Sequence, residues 1–154
     1  MLVSDIMTVS VRTTTLESSV LEVASAMCLY RLSGLPVVDK DDKLLGLIAE
    51  KDVLHHMFPT LEDLMGGSMG SIDLDEMMDK YGEITELKVK DLMTAGVITV
   101  PPDMHILRAT TVMVRNRFRR IPVAKNGVLL GMISMGDVHK AIFQHNIANI
   151  ADNK

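Results

Sequence analysis

Residues 131–138 read GMISMGDV, and residues 46–53 read GLIAEKDV. The two octapeptides share the first glycine, the isoleucine two positions later and the final Asp-Val, at a shift of 85 residues. Each contains a short aliphatic run that favours a strand, followed at once by residues that favour the first turn of a helix. A repeated strand-to-helix junction indicates an internal duplication of the chain.

The duplication extends well beyond these octapeptides. Asp-Ile-Met-Thr at residues 5–8 recurs as Asp-Leu-Met-Thr at residues 91–94, at a shift of 86. The two shifts predict that one residue is missing where residues 39–43 face residues 124–127, in a hairpin turn that tolerates a change of length. About three extra residues are also expected near residues 13–16 of the first copy.

Each copy is interpreted as strand, helix, strand, strand, helix. In the second copy the predicted elements are a strand at 97–100, a helix after Asp103, strands at 121–124 and 128–133, and a helix from Ser134 to about Asn146. In the first copy they include a helix at 18–31, strands at 35–38 and 44–49, and a helix at 50–57. A copy of about 50 residues buries too little surface to be stable alone. The sequence therefore predicts an α/β (α+β) fold in which two tandem β-α-β-β-α repeats pack into one module.

The segment between the repeats has a different character. Residues 57–88 contain eight acidic residues and two lysines, a net charge of −6 that leaves +2 for the rest of the chain. A flexible stretch is expected at 66–71 and a short helix at 73–81, and a solvated connector is favoured over a calcium loop because the required glycine and glutamate are not at calcium-loop spacing. The predicted segments are a first repeat at 1–56, an acidic connector at 57–88, a second repeat at 89–147 and a C-terminal tail at 148–154.

Composition restricts the function classes. The chain has 154 residues, 47% of them hydrophobic, only 3% aromatic, and a net charge of −4, which does not favour nucleic acid as a partner. The single cysteine, Cys28, is expected to be a small buried hydrophobe in a cytoplasmic protein, and the histidine spacing predicts no metal site. No membrane-spanning run is expected, and no catalytic motif points to an enzyme.

The repeated segments resemble cystathionine β-synthase (CBS) domains, and the pair resembles a Bateman module. The segments that carry the resemblance are Asp-Ile/Leu-Met-Thr, SGLPVVD at 33–39, RIPV at 120–123 and the two octapeptides at 46–53 and 131–138. The connector, with Phe58-Pro59 before Glu62-Asp63, is also similar to connectors of stand-alone bacterial members. The resemblance implies two repeats related by pseudo-two-fold symmetry and a regulatory, non-enzymatic homodimer that acts on an unidentified partner protein. It further implies no required cofactor and a ligand in the cleft between the repeats: AMP, ADP, ATP or S-adenosylmethionine.

The strongest candidate site lies at Ser134-Met135-Gly136-Asp137. A carboxylate such as that of Asp137 can accept both ribose hydroxyls, and the Ser134 hydroxyl with backbone N–H groups can bind phosphate where Gly136 permits close approach. The spacing Ser-x-x-Asp is also close to that of a capping box, which would only satisfy the helix's own N–H groups, and spacing alone favours this capping role. The resemblance favours the ligand role for Ser134 and Asp137.

Other residues extend this candidate site. Arg119 and Arg120 are predicted to bind phosphate, whereas Arg115 and Arg117 have an equally simple role as solvent-facing charges at a helix end. By resemblance, the walls of an adenine slot are expected to be Ile98, Thr99, Ile121 and Pro122.

The first copy departs from the pattern. Ala49 stands where the second copy has its serine, and Glu50 adds negative charge, although Lys51 could offset it. A weaker nucleoside site is therefore predicted at Asp52, Lys51 and Pro36. The alternative function is a protein or nucleic-acid adaptor that uses the arginine-rich patch Arg115–Arg120 without a nucleotide.

Overall fold

The computed structural model describes residues 1–58 and 73–152, which form a mixed α/β fold. The helices are α1 (Val3–Ile6), α2 (Val20–Tyr30), α3 (Glu50–His55), α4 (Leu74–Thr85), α5 (Val89–Leu92), α6 (Ile106–Asn116) and α7 (Met135–Asp152). The strands are β1 (Gly34–Val38), β2 (Leu44–Ala49), β3 (Thr94–Ala95), β4 (Arg120–Lys125) and β5 (Val128–Ser134). One sheet has the order β1-β2-β3, and β4 pairs with β5 in the other.

The chain forms two compact units, and neither is a continuous stretch of sequence. Unit 1 contains residues 1–11, 40–44 and 98–154, and unit 2 contains residues 12–39 and 45–97. The first Asp-x-Met-Thr segment therefore lies with the second repeat, and the second such segment lies with the first repeat. Each repeat is completed by a segment that the sequence places with the other.

Backbone hydrogen bonds hold each exchanged segment, and they recur at the shift of 86. In unit 1 the Val3 N–H donates to the Met104 carbonyl (2.8 Å), and in unit 2 the Val89 N–H donates to the Ser18 carbonyl (2.9 Å). The side chains of Val3 and Val89 have no exposed surface, and each belongs to the apolar core of its unit. The exchanged segments are therefore integral parts of the two cores.

Two glycines allow the exchanged segments to approach the sheets. In unit 1, Thr8 and Met132 exchange two backbone hydrogen bonds of 2.9 and 3.0 Å, next to Gly131. A Cβ atom at Gly131 would collide with the Thr8 carbonyl oxygen, and one at Gly46 would collide with the Thr94 carbonyl oxygen. Only glycine fits at these two positions without a shift of the backbone.

Most predicted elements of the repeats are confirmed within one to three residues, and the missing residue falls in the hairpin turn, as predicted. The predicted strand at 97–100 is reduced to one residue, Val100, which pairs in parallel with Val123. The following Pro101 and Pro102 lack N–H donors and end the pairing. β3 at Thr94–Ala95 was not predicted.

Three other expectations were wrong. Thr14 pairs with Val37 as Val100 pairs with Val123, at the same shift of 86, so the first copy has no extra residues before this point. Cys28 is exposed on α2 rather than buried, because the buried face of that helix carries Val20, Val23, Ala24 and Met27. The last helix continues to Asp152, six residues past the predicted end.

The described part of the acidic connector is a packed helix. The Asp73 side chain caps α4 by accepting hydrogen bonds from two backbone N–H groups of the first turn, so it serves the helix rather than a cation. Met77 and Ile84 are buried on one face of α4, and Ile84 belongs to the core of unit 2. The prediction of a solvated connector is therefore correct only for the exposed side of α4. The predicted flexible stretch at 66–71 lies outside the described residues.

A network of three charged side chains supports α5 in unit 2. The Glu17 carboxylate accepts hydrogen bonds from the Lys88 ammonium (2.6 Å) and from the Lys90 ammonium (2.9 Å). The hydrogen bond from Lys88, followed by that from Lys90, lowers the pKa of Glu17 from 4.5 to about 2. The same carboxylate raises the pKa of Lys90.

The lowered pKa of Glu17 predicts a pH dependence of unit 2. Because the folded state holds the carboxylate ionised, this contribution to stability is complete above pH 4.5 and is lost as the pH falls towards about 2. The side chains are about half exposed, so solvent screens the network and the effect on thermal unfolding is small. Carboxyl titration by NMR should place the Glu17 pKa near 2 and move it towards 4.5 in the Lys88→Met/Lys90→Met double variant. A wild-type pKa of 4.5 would contradict the network.

Candidate functional site

The candidate residues of the second copy meet at one corner of unit 1. Arg120, the first residue of β4, is the register partner of Ser134, the last residue of β5. The Met135 N–H at the start of α7 donates to the Arg119 carbonyl (2.8 Å), so the two arginines are anchored by their backbones at the beginning of this helix. Gly136 and Asp137 lie in the first turn of the same helix. The pairing of β4 with β5 and the start of α7 thus bring together the site residues that were predicted from the sequence.

Ser134 and Asp137 form a reciprocal capping box. The Ser134 N–H donates to Asp137 Oδ2 (2.8 Å), and the Asp137 N–H donates to Ser134 Oγ (3.1 Å). The capping role that the spacing allowed is therefore present in the structure. In the part of the chain that the structure describes, Asp137 Oδ1 accepts no hydrogen bond, so half of the carboxylate remains available. Both side chains are partly exposed.

The four residues predicted to line an adenine slot differ in their solvent exposure. Ile121 and Pro122 are buried in β4, so only their backbone can face a ligand without disturbing the core. Ile98 and Thr99 are exposed, and they lie alongside β4 because the next residue, Val100, pairs with that strand in parallel. Ile98 and Thr99 thus present accessible side chains at this corner.

The corresponding corner of unit 2 differs at its carboxylate. Asp52 Oδ2 accepts a hydrogen bond from the Ala49 N–H (2.8 Å), as Asp137 does from the Ser134 N–H. Asp52 Oδ1 also accepts a hydrogen bond from the Thr94 hydroxyl (3.3 Å). Both oxygens of Asp52 are therefore engaged, whereas one oxygen of Asp137 is not. Ala49 supplies no hydroxyl to cap α3.

An open pocket of about 260 Å³ lies beside Asp52 in unit 2. Its lining residues are Lys51, Asp52, His55, His56, Asp91 and Leu92. Pro36, the third residue predicted for this site, is buried in β1 and does not line the pocket. The pocket combines two carboxylates, one lysine and two imidazoles.

The sequence did not predict that Thr94, His55 and His56 lie at these corners. Thr94 was visible as the end of a repeated tetrapeptide, but only the exchange of segments places it against Asp52. His55 and His56 carry no spacing signal, because they reach the pocket from the end of α3 while Asp91 comes from α5. In residues 1–58 and 73–152, no three His, Cys, Asp or Glu side chains are grouped so that they could hold a metal ion. None of the helices in these ranges combines the length and hydropathy needed to cross a membrane.

Two proteins are similar to this chain in sequence. The first matches over most of both chains, and the second matches over a small part of a larger enzyme. It is 35% identical over 124 residues to the uncharacterized protein MJ1426 of Methanocaldococcus jannaschii, covering 73% of this chain and 74% of that protein. It is 31% identical over 139 residues to the inosine-5'-monophosphate dehydrogenase of the same organism, covering 90% of this chain but only 22% of the enzyme.

Two solved structures share the fold. CBSX2 of Arabidopsis thaliana in complex with AMP superimposes with a TM-score of 0.73 at 24% identity, covering 94% of this chain and 98% of the other. The CBS domain pair of MJ0100 in complex with 5'-methylthioadenosine and S-adenosyl-L-methionine gives a TM-score of 0.66 at 20% identity, covering 92% and 99% of the two chains.

The fold and its two matched strand-to-helix corners define a protein built from a pair of CBS repeats. The family model for the CBS domain matches residues 3–59 and 89–144, and the chain belongs to this family.

The capping difference between the two corners predicts opposite effects of two small substitutions. Ser134→Ala removes the acceptor for the Asp137 N–H and should lower the free energy of unfolding by about 1 kcal/mol. Ala49→Ser provides the missing acceptor at α3 and should raise the free energy of unfolding by about 0.5–1 kcal/mol. Reversible urea unfolding measures the free energy of unfolding of both variants. Changes of equal size and the same sign in the two variants would contradict the capping difference between the corners.

Proposed function

We propose that this chain is a regulatory module that binds an adenosine nucleotide, such as AMP, ADP or ATP, at the start of α7 in unit 1. The observation that carries the proposal is the unengaged oxygen of Asp137, held in place by the capping box beside the exposed Arg119 and Arg120. A ribose diol needs a fixed carboxylate acceptor, and phosphates need cations and N–H donors. This corner offers all three.

Each group has a defined task in this proposal. Asp137 Oδ1 accepts from the ribose hydroxyls while Oδ2 keeps its bond to the Ser134 N–H, so binding does not remove the cap. The phosphate lies against Arg119, Arg120 and the Gly136 N–H, where the 18-residue helix α7 adds the positive end of its dipole. The adenine ring lies against Ile98 and Thr99.

The corner around Asp52 is proposed as the weaker site. A ligand hydroxyl would compete with Thr94 for Asp52 Oδ1, and Glu50 lies where the second copy has the uncharged Met135. Helix α3 has only six residues, so its dipole contributes less than that of α7. The basic side chains that line the pocket in this corner are those of Lys51, His55 and His56.

The ligands of related structures support the ligand class. AMP is bound to CBSX2, and 5'-methylthioadenosine and S-adenosyl-L-methionine are bound to MJ0100, so an adenosine group is common to all three. S-adenosylmethionine has no phosphate, and the exposed Arg119 and Arg120 therefore favour nucleotides for this chain. In the proposed mechanism, the nucleotide shifts the populations of the module's conformations, and an unidentified partner protein responds to that shift.

Isothermal titration calorimetry with AMP, ADP, ATP and S-adenosylmethionine tests the proposal. Asp137→Asn keeps an acceptor for the Ser134 N–H but presents an amide donor to the ribose, so it should abolish the heat of AMP binding and leave the fold intact. The matched variant Asp52→Asn should change the AMP affinity by less than roughly threefold, since a bond already shared with Thr94 contributes little.

Ligand-induced stabilisation provides a second readout. At 100 times its dissociation constant, AMP should stabilise the wild-type chain by about 2.7 kcal/mol and should not stabilise Asp137→Asn. If none of the four ligands gives a heat of binding or stabilises the chain, the proposal is wrong. If the chain instead bound RNA or DNA with steep salt dependence and without any effect of Ser134→Ala, the adaptor function of the patch Arg115–Arg120 would replace it.

A further inference from the structure

A short segment enters each sheet beside its first long strand, and the two entering segments, residues 12–14 in unit 2 and residues 98–100 in unit 1, differ in charge. Thr14 pairs in parallel with β1 as Val100 pairs with β4, at a shift of 86. Two residues before these pairs, Arg12 in unit 2 therefore occupies the position of Ile98 in unit 1. Both side chains are exposed. The same position thus presents a cation in one unit and an apolar side chain in the other.

The Arg12 guanidinium is held on an aromatic ring. Its Cζ atom lies 3.6 Å from the centroid of the Tyr30 ring, at the end of α2. A stacked guanidinium uses its flat face for the ring and keeps its N–H donors at its edge. Unit 1 has Asn116 at the position of Tyr30, and the Asn116 amide donates to the Val112 carbonyl of its own helix (2.8 Å). Both partners of the stacked pair therefore differ between the copies.

The N–H donors of Arg12 are available to a ligand. In residues 1–58 and 73–152, no protein group accepts a hydrogen bond from this side chain, and the ion pairs of Glu17 do not include it. An arginine held in one orientation loses less rotamer freedom on binding an oxyanion than a free arginine does. Arg12 is therefore a preformed donor group.

Small residues lie between Arg12 and the start of α3. β1 separates the entering segment from β2, whose end leads directly into α3. The Glu50 N–H donates to the Ser33 carbonyl (3.0 Å), which ties the residue before β1 to the start of this helix. Ser33 and Gly34 stand where unit 1 has its two arginines, so no long side chain projects from this end of β1.

The cations of the two corners thus have different positions. In unit 1 they lie at the start of β4, and the entering segment is apolar there. In unit 2 the start of β1 is uncharged, and the entering segment carries Arg12. The carboxylates of Glu50 and Asp52 lie in the first turn of α3. An anionic group is therefore favoured beside Arg12 and disfavoured beside Glu50.

We propose that Arg12 binds an oxyanion group, a phosphate or a carboxylate, of a small ligand in unit 2. The Tyr30 ring orients the guanidinium, and two parallel N–H donors bind two oxygens of the ligand. This inference deepens the proposal of a weaker site around Asp52 and rests on it only for the contact between a ligand hydroxyl and that carboxylate. The charged group of this ligand lies beside the entering segment, whereas at Asp137 the phosphate lies at the start of β4.

NMR of the arginine Nε–H groups tests the contact directly, with Arg12→Lys used to assign the Arg12 signal. Titration with inorganic phosphate and with AMP should shift this signal, and acetate tests the carboxylate. Adenosine has no oxyanion and should leave the signal in place. A stronger response to AMP than to phosphate would assign the oxyanion to a nucleotide, and equal responses would assign it to a free anion.

The same titrations in Asp137→Asn separate this inference from the nucleotide site of unit 1. A response of Arg12 in this variant supports the oxyanion site even if AMP gives no heat of binding at Asp137. Conversely, AMP binding that depends on Asp137 remains valid if the Arg12 signal does not move. The two proposals can therefore fail independently.

Three variants test the role of the stacked pair, with the Gly34 amide signal as the reporter of phosphate binding. Arg12→Gln should weaken binding by roughly tenfold or more, because an amide has neither the charge nor the fork of donors. Tyr30→Leu should weaken binding by roughly three- to fivefold, since the guanidinium is no longer held in one orientation. Arg31→Gln is the matched control, because it removes the same charge from the exposed arginine next to Tyr30, and it should change the affinity by less than roughly twofold.

Three results would overturn the proposal. The first is an Arg12 signal that does not move at about 20 mM phosphate, a concentration that detects a dissociation constant in the millimolar range. The second is an effect of Arg31→Gln equal to that of Arg12→Gln, which would indicate a general effect of surface charge. The third is a Tyr30→Leu variant that binds phosphate as tightly as the wild type does.

Discussion

The structure depends on the backbone pairing between each Asp-x-Met-Thr segment and the sheet it joins. Thr8 pairs with Met132 in unit 1, and Thr94 pairs with Leu47 in unit 2. Both pairings require a neighbouring residue without a Cβ atom, and Gly46 and Gly131 meet this requirement. Each core closes around an aliphatic residue from such a segment, so neither repeat has a complete core from its own residues.

This exchange also makes the two corners chemically unequal. It places the Thr94 hydroxyl on Asp52 in unit 2, whereas no described residue donates a hydrogen bond to Asp137 Oδ1 in unit 1. Other differences act in the same direction: Ser134 has an alanine as its counterpart, and Arg119 and Arg120 have Ser33 and Gly34 as theirs. The two corners of the duplicated fold therefore differ in their charges and in their hydrogen-bonding groups.

Periodicity and repeat matching predict the elements well, since amphipathic helices and hairpins are determined by local residues. The hairpin at Asn126-Gly127 and the capping box at Ser134 follow from sequence because both motifs involve residues close in the chain. The exchange of segments depends on pairing between residues more than 40 positions apart, and no local pattern encodes it. The exposed Cys28 shows the same limit, because the apolar residues around it give no indication of which face of α2 meets the core.

The most direct test of the exchange is amide hydrogen exchange by NMR in Gly131→Ala and Gly46→Ala. Each substitution should cost about 1–3 kcal/mol by forcing the adjacent segment away from its sheet. In Gly131→Ala, protection should fall at Val3 and Thr8 and persist at Val89, and in Gly46→Ala the pattern should reverse. Loss of protection at Val3 and Thr8 in Gly46→Ala, with retention in Gly131→Ala, would contradict the account.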